Sequence, residues 1–190
     1  MIISFNGAPG SGKSTIARRL ADKLNWPRFY IGGLRREAAK KRGLTLEEYN
    51  KLGESNPTTD WEVDQEYQQK LAQTEANFVI EGRTAWYFLP QSLKIYLDVS
   101  LEEGAKRIFG NLQEKNDRNE ANNLDSWQAV MASNQERIRS DNARYRKYYQ
   151  IDVYDPKNYD FYLDTTNLDR DQVFQAVYDF VSVRLDKRKN

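Results

Sequence analysis

The stretch GAPGSGKST at residues 7–15 constrains this chain more than any other, because of what stands on either side of it. Ile2, Ile3 and Phe5 precede it as a short apolar run without strict alternation, the pattern of a strand buried on both faces. Ile16, Ala17, Leu20, Ala21 and Leu24 follow at helical spacing, with Arg18, Arg19, Asp22 and Lys23 between them. Strand, glycine-rich turn and helix form the context in which G-x-x-x-x-G-K-[ST] holds phosphate; a plain turn before a surface helix is the alternative. Gly7, Gly10 and Gly12 let the backbone curl so that successive amides face inward, and Ala8, Pro9, Ser11 and Thr15 complete the loop. Lys13 can reach the β and γ phosphates, and the Ser14 hydroxyl can ligate Mg²⁺.

Composition narrows the chemistry further. The 190 residues suffice for one domain with small insertions. With 29 basic and 28 acidic residues the net charge is +1, so no global field draws polymeric nucleic acid or a membrane surface. The chain has no Cys and no His, which removes thiolate nucleophiles, imidazole bases and most transition-metal sites. Lys, Arg, carboxylates, hydroxyls and a hard cation remain, a set that suits phosphoryl transfer. No signal segment or long apolar span occurs, so a cytoplasmic protein is expected, and it is read as a monomer.

Further along, Arg28–Ile31, Phe78–Ile80, Leu93–Val99 and Tyr159–Asp164 read as four more strands. Gly32 and Gly33 end the first of these, and a helix is predicted over Leu34–Lys41. Thr45–Glu48 and Ser100–Glu103 are capping boxes that open helices. Asp60 reads as the cap of a segment with Trp61, Asp64, Tyr67 and Leu71 on one face. Residues Asn111–Asn123 read as mobile and solvated, and a long helix is expected over Asp125–Tyr149, then a terminal one from Asp169. Strands alternating with helices imply a parallel sheet, whose ligands bind beyond the carboxyl ends of its strands.

At those ends stand Arg83, after the third strand, and Arg36, after the second. Arg83 is either a phosphate fork or a structural partner of Glu81; for Arg36 beside Arg35 a solvated helix face is the favoured reading of the residues alone. Arg137, Asp141 and Arg144 recur at i, i+4 and i+7 on the long helix, as an ion-pair ladder or as a face over the cleft. Glu81 or Asp98 could anchor Mg²⁺ through water or serve as a base. The tyrosines between 145 and 162 favour packing of helix against strand over stacking on a base.

GAPGSGKST, GGLRRE, IEGR, LKIYLDV, Arg137-x-x-x-Asp141-x-x-Arg144-Tyr145 and YDFYLDTT in this order resemble the cytidylate (CMP) kinase family of nucleoside monophosphate kinases, in its short archaeal-type branch. The resemblance implies a three-layer α/β/α P-loop fold with a five-stranded parallel sheet in order 2-3-1-4-5. It also implies a helical acceptor-binding insertion at 34–75, a lid at 110–140, and transfer from MgATP to CMP or dCMP. By matching position it gives the acceptor phosphate to Arg36 and Arg83, phosphate contacts to Arg137 and Arg144, and the acceptor nucleoside to Asp141. Lys13, Arg83, Arg137 and Arg144 become the catalytic set; Arg107 and Arg118 become lid-side contacts. Gly33 departs from the pattern, standing where it carries Asp, and the lid is rich in Asn.

Overall fold

The apolar runs become strands β1 (Ile2–Gly7), β2 (Arg28–Tyr30), β3 (Phe78–Glu81), β4 (Leu93–Asp98) and β5 (Phe161–Asp164). The helices are α1 (Lys13–Leu24), α2 (Ile31–Lys41), α3 (Leu46–Ser55), α4 (Thr58–Asp60), α5 (Glu66–Ala72), α6 (Ala85–Phe88), α7 (Leu101–Leu112), α8 (Trp127–Tyr149) and α9 (Arg170–Asp186). The computed structural model describes residues 1–74, 76–114, 121 and 123–187.

All strand pairs are parallel, and the order is 2-3-1-4-5, as the family resemblance implies. Every residue of β1 is buried, because β1 lies at the centre with helices on both faces. Alternation along it divides the core in two. Ile3 and Phe5 join Val79, Ile95 and Leu97 against α1 and α9, whereas Ile2 joins Phe78 and Ile80 against Ile31, Leu71 and Leu89. A third cluster, Ala105, Ile108 and Val130, locks α7 to α8. Burial of Ile16 and Leu20 anchors α1, each worth about 1.5–3 kcal/mol.

Several boundaries differ from expectation for identifiable reasons. Helix α2 starts at Ile31, so Gly32 and Gly33 sit in its first turn instead of ending β2. Ser100 accepts from the Glu103 amide at 3.3 Å, yet the second half of the box is missing: the Ser100 amide donates to Thr166 Oγ1, and the Glu103 carboxylate accepts from Arg107. Thr45 and Glu48 form the complete box. The segment after Pro57 passes through a π-helical turn, Trp61–Gln65, which breaks the 3.6-residue period. Trp61 is consequently 46% exposed while Leu71 is buried. Asp60 caps nothing; its side chain is fully buried between arginines. β5 begins at Phe161 because Pro156–Asn158 takes a 3-10 turn. Most of the segment expected to be mobile, including Arg118, lies outside the described residues.

Candidate active site

The loop at residues 7–15 leaves β1 with the Ala8 amide donating to the Leu97 carbonyl at 3.0 Å, and Lys13 Nζ turns back to the Ala8 carbonyl at 3.2 Å. Gly10 has φ 84°, and a Cβ there would lie 2.2 Å from the Gly104 carbonyl oxygen, so the loop rests directly on the backbone of α7. Gly12, with φ 83°, precedes α1 and offers no side-chain cap; the first turn of α1 also holds no acidic residue. Helices α3, α7, α8 and α9 are each capped by a side chain, from Thr45, Ser100, Ser126 and Asp169. The N-terminal end of α1 is thereby open to an anion, which its amides and dipole favour.

Two cavities meet at this loop. One, of about 460 Å³, runs from Gly10–Ile16 to Arg107, Asn111, Leu168 and Arg170. The other is a cleft bounded by Pro9, Gly10, Lys13 and Ser14 on one side and by Tyr30, Arg35, Arg36, Glu81, Arg83, Arg137 and Asp141 on the other. Gly10, Lys13 and Ser14 belong to both. A group held at the loop from the first cavity therefore faces the arginines of the second.

Along that cleft and behind it runs a buried network drawn from α2, α3, α4 and α8 and from the segments that follow β3 and α8. Arg83, just after β3, pairs with Asp141 on α8, and Asp141 also accepts from Arg144 one turn later. Arg144 reaches Asp60, at the end of α4, and Arg35 on α2 donates to the same carboxylate at 2.9 Å and to Asn50 on α3 at 2.7 Å. The Tyr154 hydroxyl donates to Asp141 at 2.9 Å. Burial pushes the Asp141 carboxyl up, but the Arg83 and Arg144 guanidiniums outweigh it and hold the group below its ordinary value. Burial raises Tyr154 well above the usual phenol range, against the opposing pull of Arg83, so it stays a proton donor.

The residues singled out from sequence divide into groups. Arg36, Arg83, Arg137 and Asp141 line the cleft together with Lys13 and Ser14. Arg144 does not line it: fully buried, it lies behind Asp141 and is occupied by two carboxylates. Arg83 pairs with Asp141 and not with Glu81, whose carboxylate meets Arg28 at 2.7 Å while facing the cleft. Asp98 accepts from the Val99 amide and from Tyr162, and lines neither cavity. Arg107 lines the larger cavity, held by Glu103 and by the carbonyls of Thr165 and Thr166. Most of the tyrosines serve packing, as with Tyr148 on the Gly53 carbonyl and Tyr159 on that of Val153. Sequence reasoning missed Tyr30, Arg35, Asn50, Asp60 and Tyr154; the Arg35-Arg36 pair was the one available signal.

A phosphate loop shared by two cavities, on a parallel sheet of this order, defines a P-loop kinase. The cytidylate kinase-like family model matches residues 2–167, and the chain belongs to that family. It is 33% identical over 188 residues to a cytidylate kinase of Methanopyrus kandleri, covering 93% of this chain and 91% of the relative. It is 36% identical over 178 residues to one from Pyrococcus furiosus, with 93% and 86% covered. Among solved structures, an uncharacterized protein from Eubacterium ventriosum superposes with TM-score 0.66 at 18% identity, over 96% of this chain and 98% of that one. Shikimate kinase from Bacteroides thetaiotaomicron superposes with TM-score 0.61 at 16% identity, with 96% and 98% covered. At such identities the structures show a shared fold. Among the described residues no helix is long and apolar enough to cross a membrane.

Proposed function

We propose that this protein is a nucleoside monophosphate kinase that transfers the γ-phosphoryl group of MgATP to CMP or dCMP. The observation that carries the reading is the pair of cavities joined at Lys13 and Ser14, one suited to a triphosphate and the other lined by Arg36, Arg83 and Arg137. Those guanidiniums offer forked donors to a second phosphate. The family and the cytidylate kinase relatives support a CMP acceptor over another nucleotide, an alcohol acceptor or an acceptor-free switch.

The chemistry fits a chain without imidazole. A phosphate monoester has its second pKa near ~6, so at neutral pH the attacking oxygen carries no proton and no general base is required. Transfer then depends on alignment and on neutralising the charge spread over the transferred group. Lys13 would contact the β and γ phosphates, Arg83 and Arg36 would hold the acceptor phosphate, and Arg137 would bridge toward the transferred group. Ser14 faces both cavities and the described residues hold no cluster of three carboxylates, which suits a hard cation bound mainly by phosphate and water. Ser14 would hold Mg²⁺, with Glu81 ordering its water, and the ion when bound offsets charge on the β and γ oxygens. Arg144 and Asp141 act by positioning Arg83, with Asp141 presenting its edge to the acceptor nucleoside. Arg107 would lie beside the donor nucleotide, under a lid over 110–140, and the segment 34–75 would form the acceptor side. We read the protein as a cytoplasmic monomer working on small nucleotides.

The decisive experiment is ADP formation with a panel of CMP, dCMP, UMP, AMP and shikimate. CMP and dCMP should be turned over and Lys13→Ala should abolish it. ATP hydrolysis indifferent to every acceptor would refute the reading.

A further inference from the structure

Gly32 and Gly33 adopt no left-handed φ, so the backbone does not require glycine at either position. The ring of Tyr30 does. A Cβ on Gly33 would lie 2.8 Å from Tyr30 Cδ1, and one on Gly32 would lie 2.9 Å from Cε2. Both are well inside the ~3.5–4.0 Å at which carbon atoms pack. The ring thus lies flat on a floor of two glycines, filling the space a side chain at 33 would take.

What that seat achieves is visible at the other end of the phenol. Tyr30 lines the acceptor cleft, and its hydroxyl accepts a hydrogen bond from Arg36 Nη1, which also donates to the Gly32 carbonyl at 3.1 Å. The guanidinium of Arg28 lies 5.5 Å from the ring centroid, within cation–π range, while that of Arg36 sits at the hydroxyl edge. Arg36, which lines the cleft, is thereby held by a hydroxyl and a carbonyl at the edge of the ring. An arginine immobilised before its ligand arrives loses less side-chain freedom on binding.

We infer that Tyr30 is the positioning residue that aims Arg36 at the acceptor's phosphate, and that Gly32 and Gly33 are there to seat it. At Gly33, where the family pattern carries Asp, this chain leaves the space to the Tyr30 ring, whose hydroxyl holds Arg36. The inference rests on the acceptor reading given above.

The test is CMP binding by calorimetry without ATP, together with steady-state kinetics, on the full chain and on Tyr30→Phe. Loss of one charge-assisted hydrogen bond should raise the Kd and KM for CMP about tenfold. KM for ATP, kcat and melting temperature should hardly move. Gly33→Ala should give a rise of the same order, since the methyl displaces the ring. Tyr30→Phe combined with Gly33→Ala should be no worse than the poorer single variant, because both act through one contact. An unchanged KM for CMP in Tyr30→Phe, or equal rises for CMP and ATP, would overturn the assignment. An unsubstituted chain that ignores CMP would instead sink the acceptor reading. Titration of inorganic phosphate then decides the role of Tyr30: binding about tenfold weaker in Tyr30→Phe supports it, and equal binding refutes it.

Discussion

Replacing Asp60 with asparagine removes a fully buried negative charge that two guanidiniums share, from Arg35 at 2.9 Å and from Arg144. The residue that takes its place is isosteric, so packing against Thr59 and Gly53 is kept and charge alone is tested. Breaking a buried pair costs about 3–5 kcal/mol, because a desolvated cation is left short of its partner. A Coulomb estimate agrees: one ion pair at ~4 Å in an effective dielectric near ~20 amounts to about 4 kcal/mol. Arg144 retains Asp141, and Arg35 retains Asn50, so the lower end of the range, about 3 kcal/mol, is expected. For a chain of this length that corresponds to a fall in Tm of about 6–12 °C. Urea denaturation of Asp60→Asn, beside Glu62→Gln as control, measures it. Glu62 pairs with Arg42 at 3.1 Å while half exposed, and its loss should cost under about 1 kcal/mol. A cost for Asp60→Asn no greater than for the control would refute the claim that the network is desolvated and ties α2 and α4 to α8.

Two further outcomes can be checked on stability alone. The Asp141 carboxyl is depressed in the folded chain, so its contribution is complete above its unfolded value, near ~3.9, and is lost as pH falls through the folded one. Asp141→Asn should therefore be well below the unsubstituted protein at pH 6, with the gap narrowing as pH falls below ~4 in urea titrations; parallel curves would contradict the ion-pair account. Gln150 ends α8 with φ 57° and ψ 33°, a left-handed cap that favours glycine. Gln150→Gly should stabilise the fold by about 0.5–1 kcal/mol, read as a higher urea midpoint, and a lower midpoint would show that the side chain contributes more than its backbone strain costs.

The donor half of the site was legible because its chemistry is contiguous. In the proposed role residues 7–15 would act through their own amides, and the strand and helix on either side announce themselves by local periodicity. The parallel sheet came from the alternation of elements and the strand order from the resemblance, and the structure has both. The acceptor half is distributed. Asp60 stands 84 positions from Arg144 and 25 from Arg35, so nothing near Asp60 in sequence separates a buried ion-pair centre from a helix cap. The π-helical turn after it was hidden for a related reason, since it breaks the period by which a helix face is read.

Arg144 shows how a correct face can still mislead about destination. Seven residues along a straight helix fall about 20° short of two full turns, so Arg137, Asp141 and Arg144 do share a side of α8. What differs along that side is the neighbour. Arg137 faces α3 and the open cleft. Two turns later α8 meets Gly53, near the end of α3, and the Arg144 side chain takes the space a side chain there would fill: a Cβ on Gly53 would lie 2.8 Å from Arg144 Cδ. The guanidinium is consequently drawn inward to Asp60, and it is Arg83 that lines the cleft, paired with the Asp141 carboxylate that Arg144 shares. A charged ladder on a helix therefore specifies a direction; whether each rung meets ligand or carboxylate is decided by what packs opposite it.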